Sequence, residues 1–162
     1  MSLEPEQLRA ILRRWATGVT LVTSCQGSTR HGMTVNSFTG VSLDPPLILV
    51  SLEKTTRTHK MVSATGNFAV SILSLEQEEL AQRFGGAVPD ADDRFAGLAV
   101  EMTPRGLPIP RDCPAFLDCQ IVGSHSAGTH TVFIAEVLGG RVINDGRPLL
   151  YFNQDYRGLA LG

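Results

Sequence analysis

The sequence has little with which to hold a charged polymer. Its 162 residues include 14 Lys or Arg and 16 Asp or Glu, giving a net charge of −2 and a pI near 6.1. The basic residues are scattered, which argues against a nucleic-acid partner or an anionic membrane surface. No apolar run is long enough to cross a bilayer, and the N-terminal stretch MSLEPEQLRAILRRW lacks the apolar core of a secretion signal. Cys25, Cys113 and Cys119 are odd in number and form no Cys-x-x-Cys, so neither a disulfide framework nor a zinc site is expected, and the setting reads as reduced and cytoplasmic. Cys119 alternates with Ala115, Leu117 and Ile121, opposite Asp118 and Gln120, as a small core residue would.

Familiar catalytic signatures are missing as well. There is no Gly-x-Gly-x-x-Gly, no Gly-x-x-x-x-Gly-Lys-Ser/Thr and no Gly-x-Ser-x-Gly. His31, His59, His125 and His130 are dispersed, with no helical His-x-x-x-His pair, and no metal site is expected. Rossmann-type nucleotide binding, P-loop chemistry and nucleophile-elbow hydrolysis all lose ground.

What remains is a chain with 43% hydrophobic and 19% charged residues, long enough for one folded domain over 1–162 with a sizeable core. Leu8, Ile11, Leu12 and Trp15 recur at helical spacing after Pro5. A strand is predicted from about Gly18 to Cys25, and a second over the stretch that starts at His31 and stops at Asp44-Pro45-Pro46. Leu47 to Leu52 is nearly continuous and apolar, as in a strand buried on both faces. Thr55 or Thr56 suits the N-cap of a short helix ending near Gly66, and Phe68 to Leu73 reads as another strand. Ser74 and Gln77 form a capping box for a helix that Gly85-Gly86 would end. Ala87 to Asp112 is rich in Pro, Asp and Gly and predicts loop, with one short strand near Val100. Strands follow at about 114–124, 129–143 and 148–153, with Asn144-Asp145-Gly146 as a tight turn between the last two. Many short antiparallel strands with a few outer helices predict one small barrel.

Three polar clusters interrupt this apolar pattern, and each has two readings. Thr34, Asn36 and Ser37 sit where β-branched residues would suit a strand, either as a bulge or as groups facing a ligand. In Ser51 to His59 a strand runs into a helix start, which is either a plain cap or a seat for a phosphate, with Lys54 and Arg57 to neutralise its charge. His130, at the mouth of a strand and on the side of Val132 and Ile134, is either bonded to a backbone carbonyl or functional. One cluster offers partners to a heterocycle and another a phosphate seat, a combination that suits a flat phosphorylated cofactor.

The segments GVTLVTS, HGMTVNSFTGVSLDPPLILVSL, EKTTRTH, NFAVSIL, LAQRF, DRF and GTHTVFIAEV resemble those of the short flavin reductases, from about Ala10 to Arg157. The most specific are Thr34-x-Asn36-Ser37-Phe38 and Ser42-x-Asp44-Pro45-Pro46. That family supplies reduced flavin in two-component monooxygenase systems. The resemblance implies a mainly β split barrel of about six to seven strands with peripheral helices. It also implies a homodimer, FMN or FAD as flavin, NADH or NADPH as hydride donor, and a monooxygenase as recipient. By the same resemblance Thr34, Asn36 and Ser37 touch the flavin ring or ribityl chain, and Ser51 and Leu52 line it. Thr56, Arg57 and Thr58 would hold its phosphate, while Phe84 and Gly85 border the site. His130 would meet the nicotinamide as the catalytic residue, and Tyr156 and Arg157 would close the pocket. Many relatives carry aspartate at the position of Thr129. Lys54, Arg57, Arg94, Arg111 and Arg157 are candidate contacts for the 2′-phosphate of NADPH. An electron carrier with tightly held FMN, or a split barrel handling haem or oxidising pyridoxine phosphate, would share the fold.

Overall fold

Pro5 opens helix α1 (Pro5–Leu12), where its missing N–H is of no consequence, and Glu4 and Gln7 exchange capping hydrogen bonds. In this computed structural model, which describes residues 2–160, the apolar side of α1 stays open: Leu8, Ile11 and Leu12 are 46–58% exposed. The described residues form twelve strands and two further α-helices. The strands are β1 (Thr17–Gly18), β2 (Thr20–Gln26), β3 (Thr29–Val35), β4 (Thr39–Leu43), β5 (Pro46–Glu53) and β6 (Asn67–Ile72), followed by β7 (Val100–Met102), β8 (Pro108–Pro110), β9 (Ala115–Ala127), β10 (His130–Val142), β11 (Leu150–Phe152) and β12 (Asp155–Arg157). The helices are α2 (Arg57–Thr65) and α3 (Glu78–Gln82).

Every strand pair is antiparallel, and the principal sheet has seven strands in the order β3-β2-β6-β9-β10-β5-β4, with small sheets β1-β11-β12 and β7-β8 beside it. The sheet curls until the end of β3 approaches β5. Val22, Val35, Val50, Leu52, Val62, Phe68 and Phe133 fill the interior, and α2 packs over it through Met61 and Val62. A second cluster joins Leu21, Leu73, Phe84 and Phe95, with Phe84 and Phe95 edge to face at 5.0 Å.

Thr56 caps α2 by accepting a bond from the His59 N–H at 3.1 Å, and Gly66 ends it at φ +70°, a left-handed conformation that glycine adopts without strain. Cys119 is fully buried, and burial pushes its thiol up to about 12; all three cysteines are free. Arg105 and Thr103 both donate to the buried Asp118, which ties the 103–107 turn to β9.

Several expectations need correction. The single strand predicted from His31 to the prolines divides into β3 and β4, because the chain changes partner from β2 to β5 at Asn36-Ser37. β5 is not buried on both faces: Ile48, Val50 and Leu52 point inward, while Leu47, Leu49 and Ser51 are only half covered. The strand buried through its middle is β6, whose outer side is covered by Leu107, Ile109, Cys113 and Phe116. Gly85 and Gly86 do not simply end a helix. They lie inside a π-turn over Arg83–Ala87, with Gly86 at φ +123°. The loop before residue 112 contains β8 as well as β7, a strand of two prolines without the alternation that would announce it. The Asn144 side chain does accept a turn bond from the Gly146 N–H, but the turn leads β10 into a different sheet, so there is no hairpin. No helix among the described residues is long and apolar enough to cross a membrane.

Candidate active site

β3 pairs only with β2, so its outer edge carries backbone groups with no strand partner. Alternation sends Gly32 and Thr34 to one side of that edge and Met33 to the other. Thr34 Oγ1 donates to the Ala81 carbonyl at 2.7 Å, and a Cβ on Gly32 would press on the Phe84 ring at 3.0 Å. On the opposite side Met33 Sδ lies 3.7 Å from Thr56 Oγ1, at the start of α2.

Asn36 is exposed at the end of this edge, and three clefts meet at it. One, of about 210 Å³, is lined by Thr34, Asn36, Gly85, Tyr151 and Tyr156. A second, of about 600 Å³, runs past Trp15, Thr17, Ser37 and Phe38, and a third, of about 290 Å³, reaches Arg13 and Asn153. Ser37 is engaged otherwise: its hydroxyl donates to the Ser51 carbonyl at 2.8 Å and accepts from the Ser51 N–H at 3.1 Å. That side chain takes the place of a strand partner and closes the β3 end of the barrel onto β5. The two residues at the interruption therefore divide the alternatives, Ser37 serving the fold while Asn36 is presented to the clefts.

Buried polar side chains are normally paired. Among the described residues, Arg13 Nε, Thr17 Oγ1 and Thr58 Oγ1 are buried with no partner, the first two at the Asn36 clefts and the third in the first turn of α2. From Asn36 back to Met33 is three strand residues, about 10 Å at 3.3 Å each, roughly the length of a short polyol chain. A planar ring at the clefts, a chain along the open edge and a phosphate at α2 fit this layout.

The other anticipated residues fall out as follows. Leu52 is fully buried in the core and Phe84 is 1% exposed, so Ser51 and Gly85 are the accessible members of those pairs. Tyr156 borders the smallest of the three clefts, and burial raises its phenol above the ordinary value, which keeps it a hydrogen-bond donor. Arg157 is turned to Asp155 at 3.1 Å on the exposed rim. His130 opens β10 opposite Glu53 of β5, apart from the Asn36 clefts, and its Nδ1 lies 2.8 Å from Thr129 Oγ1. Beside it, His59 Nε2 shares a 2.8 Å hydrogen bond with Thr131 Oγ1, and burial, reinforced by the charge of Lys54, holds the His59 pKa below its ordinary value. Burial and then the Arg57 charge do the same to His31.

Of the candidate 2′-phosphate contacts, Arg94 is nearly buried and donates to the Val88 and Gly32 carbonyls, a strut and not a free cation. Lys54 donates to Ser126 Oγ and the Gly128 carbonyl, and Arg111 faces Glu101. Sequence reasoning missed Val19 and Tyr151, which line the smallest cleft, and Asp90, which reaches the start of α2 from a loop with no periodic signal.

Comparison with known proteins gives one consistent result. Residues 12–160 match the family described as the flavin reductase like domain. A Rhodococcus NADH-dependent flavin reductase is 38% identical, the match covering 97% of this chain and 88% of that one. The reductase subunit HsaB of a flavin-dependent monooxygenase from Rhodococcus jostii is 34% identical, over 98% of this chain and 80% of its own. In structure, the chain superposes on the NADH:FAD oxidoreductase of Streptomyces globisporus with a TM-score of 0.90 at 34% identity, covering 99% of this chain and 98% of that one.

Proposed function

Since the chain belongs to the flavin reductase like family and is an NAD(P)H-dependent flavin reductase with that family's split-barrel fold, we propose that it reduces FMN or FAD at the Asn36 junction, as a homodimer, and passes the reduced flavin to a monooxygenase partner. One observation supports the placement: three clefts meet at Asn36 at the end of the β3 edge, with a buried, unpartnered hydroxyl at one cleft, Thr17, and another in the first turn of α2, Thr58. Flavin and NAD(P)H supply the hydride chemistry, so the reaction requires no protein nucleophile. The chain has to position, cover and release. Asn36 and the β3 edge offer donors and acceptors to the ring, with Tyr156 and Gly85 as one wall. Thr56, Arg57 and Thr58, in the first turn of α2, suit the phosphate because backbone N–H groups there point outward.

His130 is assigned to the nicotinamide. By alternation it shares the outer face of β10 with Val132 and Ile134, and Val132 pairs with Ser51. The Thr129 hydroxyl orients its ring without adding a charge. His130→Ala should slow flavin reduction about tenfold, the worth of one hydrogen bond of ~1.4 kcal/mol, and leave flavin affinity in place. Unchanged single-turnover kinetics would remove His130 from the reaction.

The direct test is NADH and NADPH oxidation by the flavin-stripped protein with rising FMN or FAD. A rate that saturates with free flavin and runs for many turnovers is expected. Flavin binding without turnover would make the protein an electron carrier instead.

A further inference from the structure

The first turn of α2 already holds an anion, and it is the protein's own. Oδ2 of Asp90 accepts from the Arg57 N–H, the first amide of the helix, at 2.9 Å, while the Arg57 guanidinium donates to the Ala91 carbonyl at 3.2 Å. Arg94 lies 3.5 Å from Oδ1 of Asp90 and is itself anchored on β3 through the Gly32 carbonyl. His31, Asp93, Asp92 and Arg30 are further charged or titratable groups beside this cluster. The carboxylate thus sits between the Arg94 guanidinium and a helix N-terminus, with the Arg57 guanidinium on the adjoining Ala91 carbonyl, surroundings that also suit a phosphate. The neighbouring Thr58 hydroxyl, fully buried, has no partner. Arg94 pins the loop through two carbonyls, whereas the hold of Asp90 on α2 is one exposed hydrogen bond, so the carboxylate can leave while the loop stays anchored.

We propose that Asp90 is a built-in competitor for the flavin phosphate: it occupies the start of α2 when flavin is away, is displaced when flavin binds, and by returning speeds flavin release. This rests on the reading that Thr56, Arg57 and Thr58 hold the phosphate. A carboxylate and a phosphate monoester cannot share the Arg57 amide, so displacement weakens binding in proportion to how well Asp90 is held. A reductase that hands its flavin to another protein gains from such a device, because the product leaves faster without any change at the ring.

The test compares FMN with riboflavin, which lacks the phosphate, by fluorescence titration and stopped-flow release. Asp90→Asn keeps the size and the acceptor oxygen but removes the charge. It should bind FMN about tenfold tighter, chiefly through slower release, with riboflavin affinity unchanged. Asp90→Ala, which also removes the acceptor, should do the same. If the native protein binds riboflavin as tightly as FMN, the phosphate seat itself is wrong and the proposal falls with it. If the native protein prefers FMN and both variants bind it no tighter, the seat stands and the role of Asp90 is overturned.

Discussion

Asn36→Ala should weaken flavin binding about thirtyfold, the loss of ~2 kcal/mol for a hydrogen-bonding amide in a partly desolvated site, while changing stability by less than about 0.5 kcal/mol. Ser37→Ala should behave in the opposite sense. Its hydroxyl satisfies both backbone groups of Ser51, and removing it leaves an N–H and a carbonyl unpaired where the barrel closes. That costs about 1–3 kcal/mol, or roughly 2–10 °C in melting temperature for a domain of this size. Thermal melts of the flavin-free variants and fluorescence titration with FMN check both halves. If Asn36→Ala melts as low as Ser37→Ala, or binds FMN as the native protein does, Asn36 is part of the fold and not of the site.

This split between adjacent residues marks how far the sequence could be read. Although one continuous strand was expected, that Asn36-Ser37 is out of place in a ladder was legible from residue type. Which of the two serves the fold was not, since a hydroxyl reaching the Ser51 backbone fourteen residues away leaves no local pattern. Helix α2 was legible at both ends for the converse reason: Thr56 and Gly66 act on their own helix, through a side chain reaching three residues on and a left-handed φ. Thr34, Tyr156 and Gly85 line one cleft, but Val19, between β1 and β2, and Tyr151 of β11 complete it as apolar and aromatic residues with no polar signal of their own. Asp90 was invisible for the same reason as β8. Each lies in a Pro-, Asp- and Gly-rich segment whose course is set by distant partners, the α2 amide and Gly32 in one case and β7 in the other.

Ile134→Asp should convert a dimer to a monomer and abolish most of the flavin reduction. In β5, sequence pattern and burial disagree. Leu47 to Leu52 is apolar on both faces, yet in the single chain only the inner face is covered. Its outer neighbours at the centre are apolar too: Leu49 pairs with Ile134 and Ser51 with Val132, Ile134 is 36% exposed and Leu138 is open farther along β10, while Glu136 opposite Leu47 and Glu53 opposite His130 are the charged members at either side. Such a patch, shared by β5 and β10 around Leu49, Ile134 and Val132, is what a second copy of the chain would bury. An aspartate at its centre would lose its hydration on association, at a cost of ~2–4 kcal/mol, enough to weaken the dimer roughly thirtyfold or more. The interior should be untouched, so the variant should keep its circular dichroism while sedimenting as a monomer. Activity should fall with it, because Ser51, Val132 and His130 lie along the same face, and opening that face to water would loosen the site on which hydride transfer depends. A native protein that sediments as a monomer at micromolar concentration, or an Ile134→Asp variant that is monomeric and fully active, would show that each chain works alone and that the apolar outer face of β5 has another use.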